Sequence, residues 1–432
     1  MSPPRCAAGR TRPVLRRLPR RRRSADGAGA EEEEAGRKPR RPGRRRSDQA
    51  VRPAHRRCRK SQRLSAERLA QRIDRLIADR LAPRSCRRRR GTLRRGVRSP
   101  RLSRPDRPRA TAEQAARFLD GKGRTAALKL IDELLADGSG QHQADVWQAA
   151  LAATAGREPP ADPQWYPNPT KKWLEERFNT NAPWSETVKA LLTASGPVDQ
   201  PNPVIYWVAN PTVDKVTDNI SRLFLGVQLE CAQCHNHPFT DYKRDEYWGM
   251  AAFFLKVAMV TKGAAKKGAS ISISERGRQP NRKRLPDSAK IVPAKFLQGE
   301  QPALRPADLA RPVLADWLAT PTNPFFARAM VNRVWHGLFG RGIVMPVDDM
   351  HEGHPPSHPE LLTELSRQFA ASGFDVKYLV RAICNGDTYQ RSSKPHGTNA
   401  EACARGWPRP LGDPSAVAVA DVRLAAADRR CR

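Results

Sequence analysis

Aromatic side chains are absent from the first quarter of this chain. Residues 1–110 contain no Phe, Trp or Tyr, yet they hold 38 Lys/Arg against 10 Asp/Glu. Proteins that bind single-stranded nucleic acid usually interleave aromatic rings with positive charge. A segment with so few large apolar residues cannot bury enough surface to order itself. We therefore expect residues 1–110 to form a disordered, Arg-rich region, and we do not expect nucleic acid to be its partner.

Three origins of this Arg-rich region remain open. It could be a nucleic-acid-binding arm, a solvated tail without a specific role, or the translation of a GC-rich gene in a wrong reading frame. The third explanation fits best, because a shifted frame of such a gene yields Arg, Pro, Ala and Gly in excess. One stretch differs from the rest: residues 64–81 carry apolar side chains at helical spacing, which predicts a helix there.

Long apolar runs and paired cysteines are also scarce. No run approaches the roughly 18 apolar residues of a membrane-spanning helix, and residues 1–18 carry charge without an apolar core, so no signal peptide is visible. Only two of the eight cysteines, Cys231 and Cys234, are spaced for joint chemistry. This spacing argues against a disulfide framework.

The fold that the remaining sequence predicts is mainly α, with two helical domains joined by a short polar or β-containing linker. The domains cover residues 111–260 and 304–395, the linker covers 261–303, and 396–432 are expected to be a disordered tail. Apolar spacing predicts helices over 125–137, 147–155, 171–178, 185–194, 214–229, 246–257, 312–319, 323–338, 358–371 and 375–384.

Local signals sharpen the ends of these elements. Thr111 with Gln114, and Ser357 with Glu360, match capping boxes. Ser185 and Asn323 are placed as N-caps. In the linker, the alternation of Ser and Ile over 270–274 predicts a short strand.

The residues with the clearest chemistry form the block Cys231-Ala232-Gln233-Cys234-His235. In a c-type haem site, both thiols of C-x-x-C-H add to the vinyl groups of the haem, and the adjacent His binds the iron. This spacing predicts covalent haem c, with Cys231 and Cys234 as attachment points and His235 as the proximal ligand.

Two other interpretations of the block stand beside haem. His237 follows closely, so Cys231, Cys234, His235 and His237 could hold zinc or iron, with a distant residue completing the site because adjacent ligands rarely reach one tetrahedral ion. The block could also be a redox-inert or disulfide-forming pair in a core, which fits less well than haem.

A second axial ligand for a haem would come from elsewhere in the chain. The candidates are Met250, Met259, His336, His351, His354 and His358. The last three histidines share a Pro-rich loop with Asp348, Asp349 and Glu352, and such a loop can bind metal or act in acid–base chemistry. Solvated, capping roles are the more common use of such residues.

Two longer stretches resemble known families. Residues 221–239, continued by 247–254, resemble the planctomycete cytochrome-associated domain of unknown function. Residues 323–335, followed by 339–344, 355–362 and 387–393, resemble the planctomycete-specific C-terminal domain that follows it in the same chains. Together the two resemblances cover roughly residues 111–395.

The resemblance implies a large exported protein, often preceded by a separate cytochrome-c-like domain, and it implies no particular reaction. The expected location is therefore exported or periplasmic. The first function hypothesis is a haem- or metal-binding redox protein of the cell envelope with an unknown redox partner. The second is a non-redox envelope binding or scaffold protein with a structural Cys/His metal site. The third is an enzyme with a hydrolytic metal centre built from His235, His237 and the loop around His354.

Overall fold

The structure, a computed structural model, describes residues 63–81, 111–121, 124–136, 139–153, 168–197, 203–262, 270–275 and 292–390. These residues all belong to one compact unit, Cys58–Arg432. Most of the Arg-rich region, much of the linker and the predicted tail 396–432 lie outside the described residues. The expectations about disorder and reading frame in those stretches therefore stay predictions.

The described part of the chain is mainly α-helical, as predicted. Its helices are α1 Ala66–Leu81, α2 Ala112–Asp120, α3 Arg124–Ala136, α4 Ser139–Ala153, α5 Asn168–Asn179, α6 Trp184–Thr193, α7 Ile205–Ala209, α8 Val213–Ile220, α9 Arg244–Ala251, α10 Ala310–Leu318, α11 Phe326–Phe339, α12 Pro359–Ala371 and α13 Val376–Cys384. No described helix has both the length and the apolar composition that a membrane span requires.

Several helix ends follow the capping rules, and two predicted caps are wrong. Thr111 and Gln114 form the expected capping box, and the Asn323 side chain accepts hydrogen bonds from the amides of Phe325 and Phe326. Ser185 is not an N-cap, because α6 already begins at Trp184. Ser357 instead donates its hydroxyl to the Ile343 carbonyl, and α12 begins at Pro359.

A small antiparallel sheet follows the first group of helices. Strands β1 Gly196–Pro197, β2 Val257–Lys262 and β3 Ser270–Glu275 lie in the order β1-β3-β2. The strand predicted over 270–274 is confirmed, and the helix predicted up to residue 257 ends earlier, because the chain enters β2 there. Ile273, opposite Met259 on β2, points into the core.

One continuous cluster of buried side chains contains residues from both sides of the linker. Phe224, Phe253 and Phe254 precede the linker, Phe326 and Phe369 follow it, and each is at most 1% exposed. Burying side chains of this size is the main favourable term in folding. The predicted domain boundaries remain a prediction, but the described helices of the two domains share one core.

Helix α1 confirms the prediction for residues 64–81, and it packs on the last helices. Leu69 and Ile73 are buried, and the Asp74 carboxylate accepts hydrogen bonds from the amides of Asp387 and Thr388 and from the Thr388 hydroxyl at 2.7–2.8 Å. These contacts tie the start of the described chain to its end.

Arg311 joins the two sides of the linker through a buried ion pair. Its Nε lies 2.9 Å from the Glu275 carboxylate, with side-chain exposures of 2% and 3%. Its Nη1 donates to the carbonyls of Leu192 and Ala194, and its guanidinium lies over the Trp207 ring. Arg311 therefore holds the end of α6, the strand β3 and the start of α10 together.

Replacing Arg311 by Met should lower the free energy of unfolding by about 3–5 kcal/mol, because the Glu275 carboxylate would stay buried without its counter-ion. Urea unfolding at neutral pH measures this change. The matched control is Arg305→Met, which removes an Arg whose side chain is 84% exposed from a surface pair with Asp308 and should leave the midpoint nearly unchanged. Equal midpoints for the two variants would contradict the assigned role.

Candidate functional site

The chain reaches the cysteine block through a helix that ends earlier than predicted. Helix α8 continues into a π-helical turn, Ser221–Leu225, and the chain leaves it at Gly226 with φ 70°. This left-handed conformation favours glycine, so the predicted helix over 214–229 is wrong beyond residue 225. The break turns the Gly226 carbonyl toward Met350, whose amide donates to it at 2.8 Å.

The block itself begins with a short 3₁₀ turn, Glu230–Gln233. Ala232 is buried, and the Trp248 indole donates to the Gln233 carbonyl at 3.0 Å. Cys231 and Cys234 are exposed free thiols. Cys231 lies within this turn, and Cys234 is the residue that ends it.

The two histidines of the block have different surroundings. His235 is exposed, and its Nδ1 lies 2.7 Å from the carbonyl of its neighbour Asn236. His237 is half-buried, and its Nδ1 accepts the Phe239 amide at 3.2 Å. Burial lowers the pKa of His237, while the nearby Asp349 carboxylate acts to raise it and the His351 ring acts to lower it. His237 therefore lies near the loop of residues 348–354, which we call the histidine loop.

Three contacts fix the histidine loop to the segment that precedes the cysteines. Asp348 pairs with Arg222 at 3.1 Å and accepts a hydrogen bond from Gln228, and the Met350 amide donates to Gly226. The residues just before the loop are fixed by the buried side chain of Asn332. Its amide nitrogen donates to the carbonyls of Val344 and Val347, and its amide oxygen accepts the Val344 amide. The loop is thus anchored at its base from two directions.

Within this loop, Asp349, His351 and His354 come together. One potential ligand atom from each lies within 4.8 Å of the others, and the three residues are half-buried; no other set of three or more such residues is as close in the described part of the chain. Asp349 Oδ2 lies 3.6 Å from His351 Nε2 and 3.2 Å from His354 Nδ1. We call this group the loop triad.

Hydrogen bonds determine which ring nitrogen carries the proton. His354 Nδ1 lies 2.9 Å from the Asp349 carbonyl, which can only accept, so this nitrogen donates and leaves Nε2 with a free lone pair. His351 Nδ1 accepts the Gly353 amide at 3.0 Å, so a neutral His351 carries its proton on Nε2.

The ligand atoms of the cysteine block are less close together than those of the loop triad. Within the described residues, no three of Cys231, Cys234, His235 and His237 bring their ligand atoms within 4.8 Å of one another. The haem or metal role of this block therefore stays a prediction. Among the distal-ligand candidates, Met250 is fully buried in the core and Met259 lies exposed on β2. His336 lies on α11 and His358 directly before α12. Only His351 and His354 lie in the loop triad.

A cleft of about 820 Å³ opens beside the histidine loop. Its lining contains the segment after the cysteines, the loop itself and the start of α11: Leu225, Pro238, Phe239, Thr240, Asp241, Tyr242, Gln298, Pro324, Phe325, Arg328, Val344, Met350, His351, Glu352, His354, Pro355 and Pro356. The cysteines and His235 are not among these residues. A cleft of this volume is large enough for a small organic ligand.

Two family models match the chain. Residues 107–259 match PSCyt2, described as a protein of unknown function (DUF1549), and residues 310–428 match PSD1, described as a protein of unknown function (DUF1553). The chain therefore carries a PSCyt2 match followed by a PSD1 match, in that order. The resemblance found in the sequence is therefore confirmed. No curated protein and no solved structure matches the chain.

The family matches place the candidate site between two domains. The cysteine block and His237 belong to the PSCyt2 domain, while the loop triad and α11 belong to the PSD1 domain. The PSD1 match continues to residue 428, past the quoted motifs and beyond the described residues. Each domain supplies one wall of the cleft.

Sequence reasoning missed a half-buried acidic group on the helix that leads toward the cysteine block. Asp218 on α8 faces Tyr247 on α9 and lies near Glu230, the residue before Cys231. Burial, followed by repulsion from Glu230 and Asp214, raises the pKa of Asp218 to about 7. The apolar spacing of α8 conceals this residue, because Asp218 occupies a polar position between buried ones.

Asp218 should make stability depend on pH. Its pKa is higher in the folded protein, about 7, than the ordinary 3.8, so the folded state holds the proton more tightly and loses stability as pH rises between these values. The loss is at most about 4 kcal/mol. Asp218→Asn should reduce this dependence in urea unfolding between about pH 5 and 8, whereas the exposed Asp245→Asn on α9 should retain it. Identical pH profiles for wild type and Asp218→Asn would refute the assignment.

Proposed function

We propose that this protein is a metal-binding protein of the cell envelope, with its metal centre at Asp349, His351 and His354. The observation that carries the proposal is the loop triad. In it, one potential ligand atom from a carboxylate and one from each of two imidazoles lie within 4.8 Å of one another. The envelope location rests on the family resemblance alone.

The donor set favours zinc or iron. Two imidazoles and one carboxylate suit zinc, and the same set with open positions is typical of non-haem iron(II) sites. Three protein ligands leave at least one position for water or an external ligand, and the triad lies beside the open cleft. Such a centre can activate a bound water or polarise a bound ligand.

The loop triad would hold a metal only after both rings rearrange, because the His354 nitrogen that lies 3.2 Å from Asp349 Oδ2 is the protonated Nδ1. His354 donates from Nδ1 to a backbone carbonyl, as histidines that bind a metal through Nε2 commonly do. His351 would have to move its proton to Nδ1 and give up the Gly353 hydrogen bond before binding through Nε2. His237 of the PSCyt2 domain interacts electrostatically with Asp349 and His351, but its ring is not part of the loop triad.

Covalent haem c at Cys231, Cys234 and His235 is the second candidate. The two thiols are free and exposed, which suits their addition to the vinyl groups of a haem. With haem bound, the protein would transfer electrons to a partner; with zinc in the loop triad, it would be a non-redox binding or scaffold protein.

Metal titration of the full chain separates these candidates. After treatment with a chelator, wild type should bind about one equivalent of Zn²⁺ or Fe²⁺ with proton release. Asp349→Asn and His354→Ala should each weaken binding by at least about 100-fold, since even residues that only orient a ligand contribute 10- to 100-fold. Calorimetry measures the affinity and the proton release, and X-ray absorption identifies the ligands.

His235→Ala and the double change Cys231→Ser, Cys234→Ser are the matched controls. They alter the C-x-x-C-H motif without touching the loop triad, so metal affinity should stay at the wild-type level. Loss of metal in these controls, with retention in Asp349→Asn, would overturn the proposal. A Soret band that survives acid–acetone extraction and disappears in the cysteine variant would establish the haem candidate instead.

A further inference from the structure

Arg328 lacks an ion-pair partner among the residues that the structure describes. It lies in the first turn of α11, half-buried, and lines the cleft. The nearby arginines differ: Arg222 pairs with Asp348, and Arg333 donates to the Arg222 carbonyl. Within the described residues, no carboxylate lies within ion-pair distance of Arg328. Burial lowers its pKa, and no neighbouring charge contributes to the shift.

An unpaired guanidinium in a cleft is a ready site for an oxyanion. Removing part of its hydration is unfavourable unless a partner replaces the water. The planar fork of N–H groups matches the two oxygens of a carboxylate or phosphate. Arg328 is therefore positioned to bind an anionic group that enters the cleft.

The other walls of the cleft offer apolar ring surfaces. Phe239 is 81% exposed, and its ring meets the His237 ring edge-on with centroids 6.2 Å apart. Phe325, Pro238, Pro355 and Pro356 line the same cleft. These surfaces suit a ligand whose body is an apolar or aromatic ring.

Charge links this cleft to the metal centre. Besides Arg328, the lining carries Asp241 and Glu352, and Asp349 of the loop triad lies next to it. Without an ion these carboxylates outnumber the single Arg, so the cleft opposes anions. A divalent ion at the triad cancels the excess negative charge and supplies a second electrophilic group.

We propose that the cleft between the PSCyt2 and PSD1 domains binds a small ring compound that carries a carboxylate or phosphate, with the anionic group held by Arg328 and the ring packed against Phe239 and Phe325. The metal centre strengthens this binding, and this second part rests on the proposed function. Carboxylate and phosphate share the chemistry that Arg328 recognises.

The test uses benzoate and phenyl phosphate as anionic probes and benzyl alcohol as the neutral one. Their affinities for the full chain, with and without Zn²⁺, are measured by calorimetry or by ligand-observed NMR. Wild type should bind at least one anionic probe more tightly than the alcohol, and Zn²⁺ should tighten this binding. The ratio of the two anionic affinities distinguishes a carboxylate site from a phosphate site.

Arg328→Met should weaken anion binding by at least about tenfold, since a hydrogen bond to a charged group contributes that much or more. Arg328→Lys should lose less, because it keeps the charge without the fork. Arg341→Met, at an exposed position after α11, is the matched control and should bind as wild type does. Phe239→Ala should weaken the binding of all three probes, because each carries the ring that packs against Phe239.

The outcomes separate this inference from the proposed metal centre. If Zn²⁺ binds but Arg328→Met retains wild-type anion affinity, the inference about Arg328 is wrong and the metal centre stands. If no metal binds but anion affinity still depends on Arg328, the proposed function fails and the anion site stands. Equal affinity for benzyl alcohol and the anions overturns the site. Should Arg328→Met unfold, the Arg328→Lys affinity decides, and a wild-type value there counts against the proposal.

Discussion

The anchoring of the histidine loop on the segment 222–228 is the constraint on which the candidate site depends. The Asp348 carboxylate accepts hydrogen bonds from the side chains of Arg222 and Gln228, and the Gly226 carbonyl accepts one from the Met350 amide. Ala at position 226 would meet Met350 and would also adopt a strained backbone. Because these contacts join residues of the PSCyt2 and PSD1 matches, they set the position of the loop triad relative to His237 and to the cleft.

The sequence predicts local features of this arrangement well. Apolar spacing locates α1, α3, α6, α11 and α13, and the Thr111 capping box forms as expected. These features depend on residues that are neighbours in the chain, so the pattern contains the information. The break at Gly226 was not predicted, because an apolar stripe continues across it to Val227 and Leu229 while a tertiary hydrogen bond fixes the turn.

The candidate site shows the same division between local and distant information. The C-x-x-C-H spacing predicts a functional role for His235. The structure instead brings His237 near Asp349, which is more than a hundred residues away along the chain. The spacing Asp349-x-His351-x-x-His354 is visible in the sequence, but its convergence depends on the Asp348 and Asn332 contacts. No local sequence pattern marks Arg328 or Asp218. Arg328 is distinguished by the lack of an ion-pair partner among the described residues, and Asp218 by its partial burial; both depend on the tertiary structure.

Helix α1 has a consequence for where this protein can be divided. It precedes the PSCyt2 match at residue 107, yet its buried face, with Leu69 and Ile73, packs among the last helices of the PSD1 domain, and Asp74 caps the chain at Asp387 and Thr388. Family boundaries and the folding unit therefore differ. A fragment cut at residue 107 would expose an apolar groove on α12 and α13, and its poor solubility would say nothing about the function of the two domains.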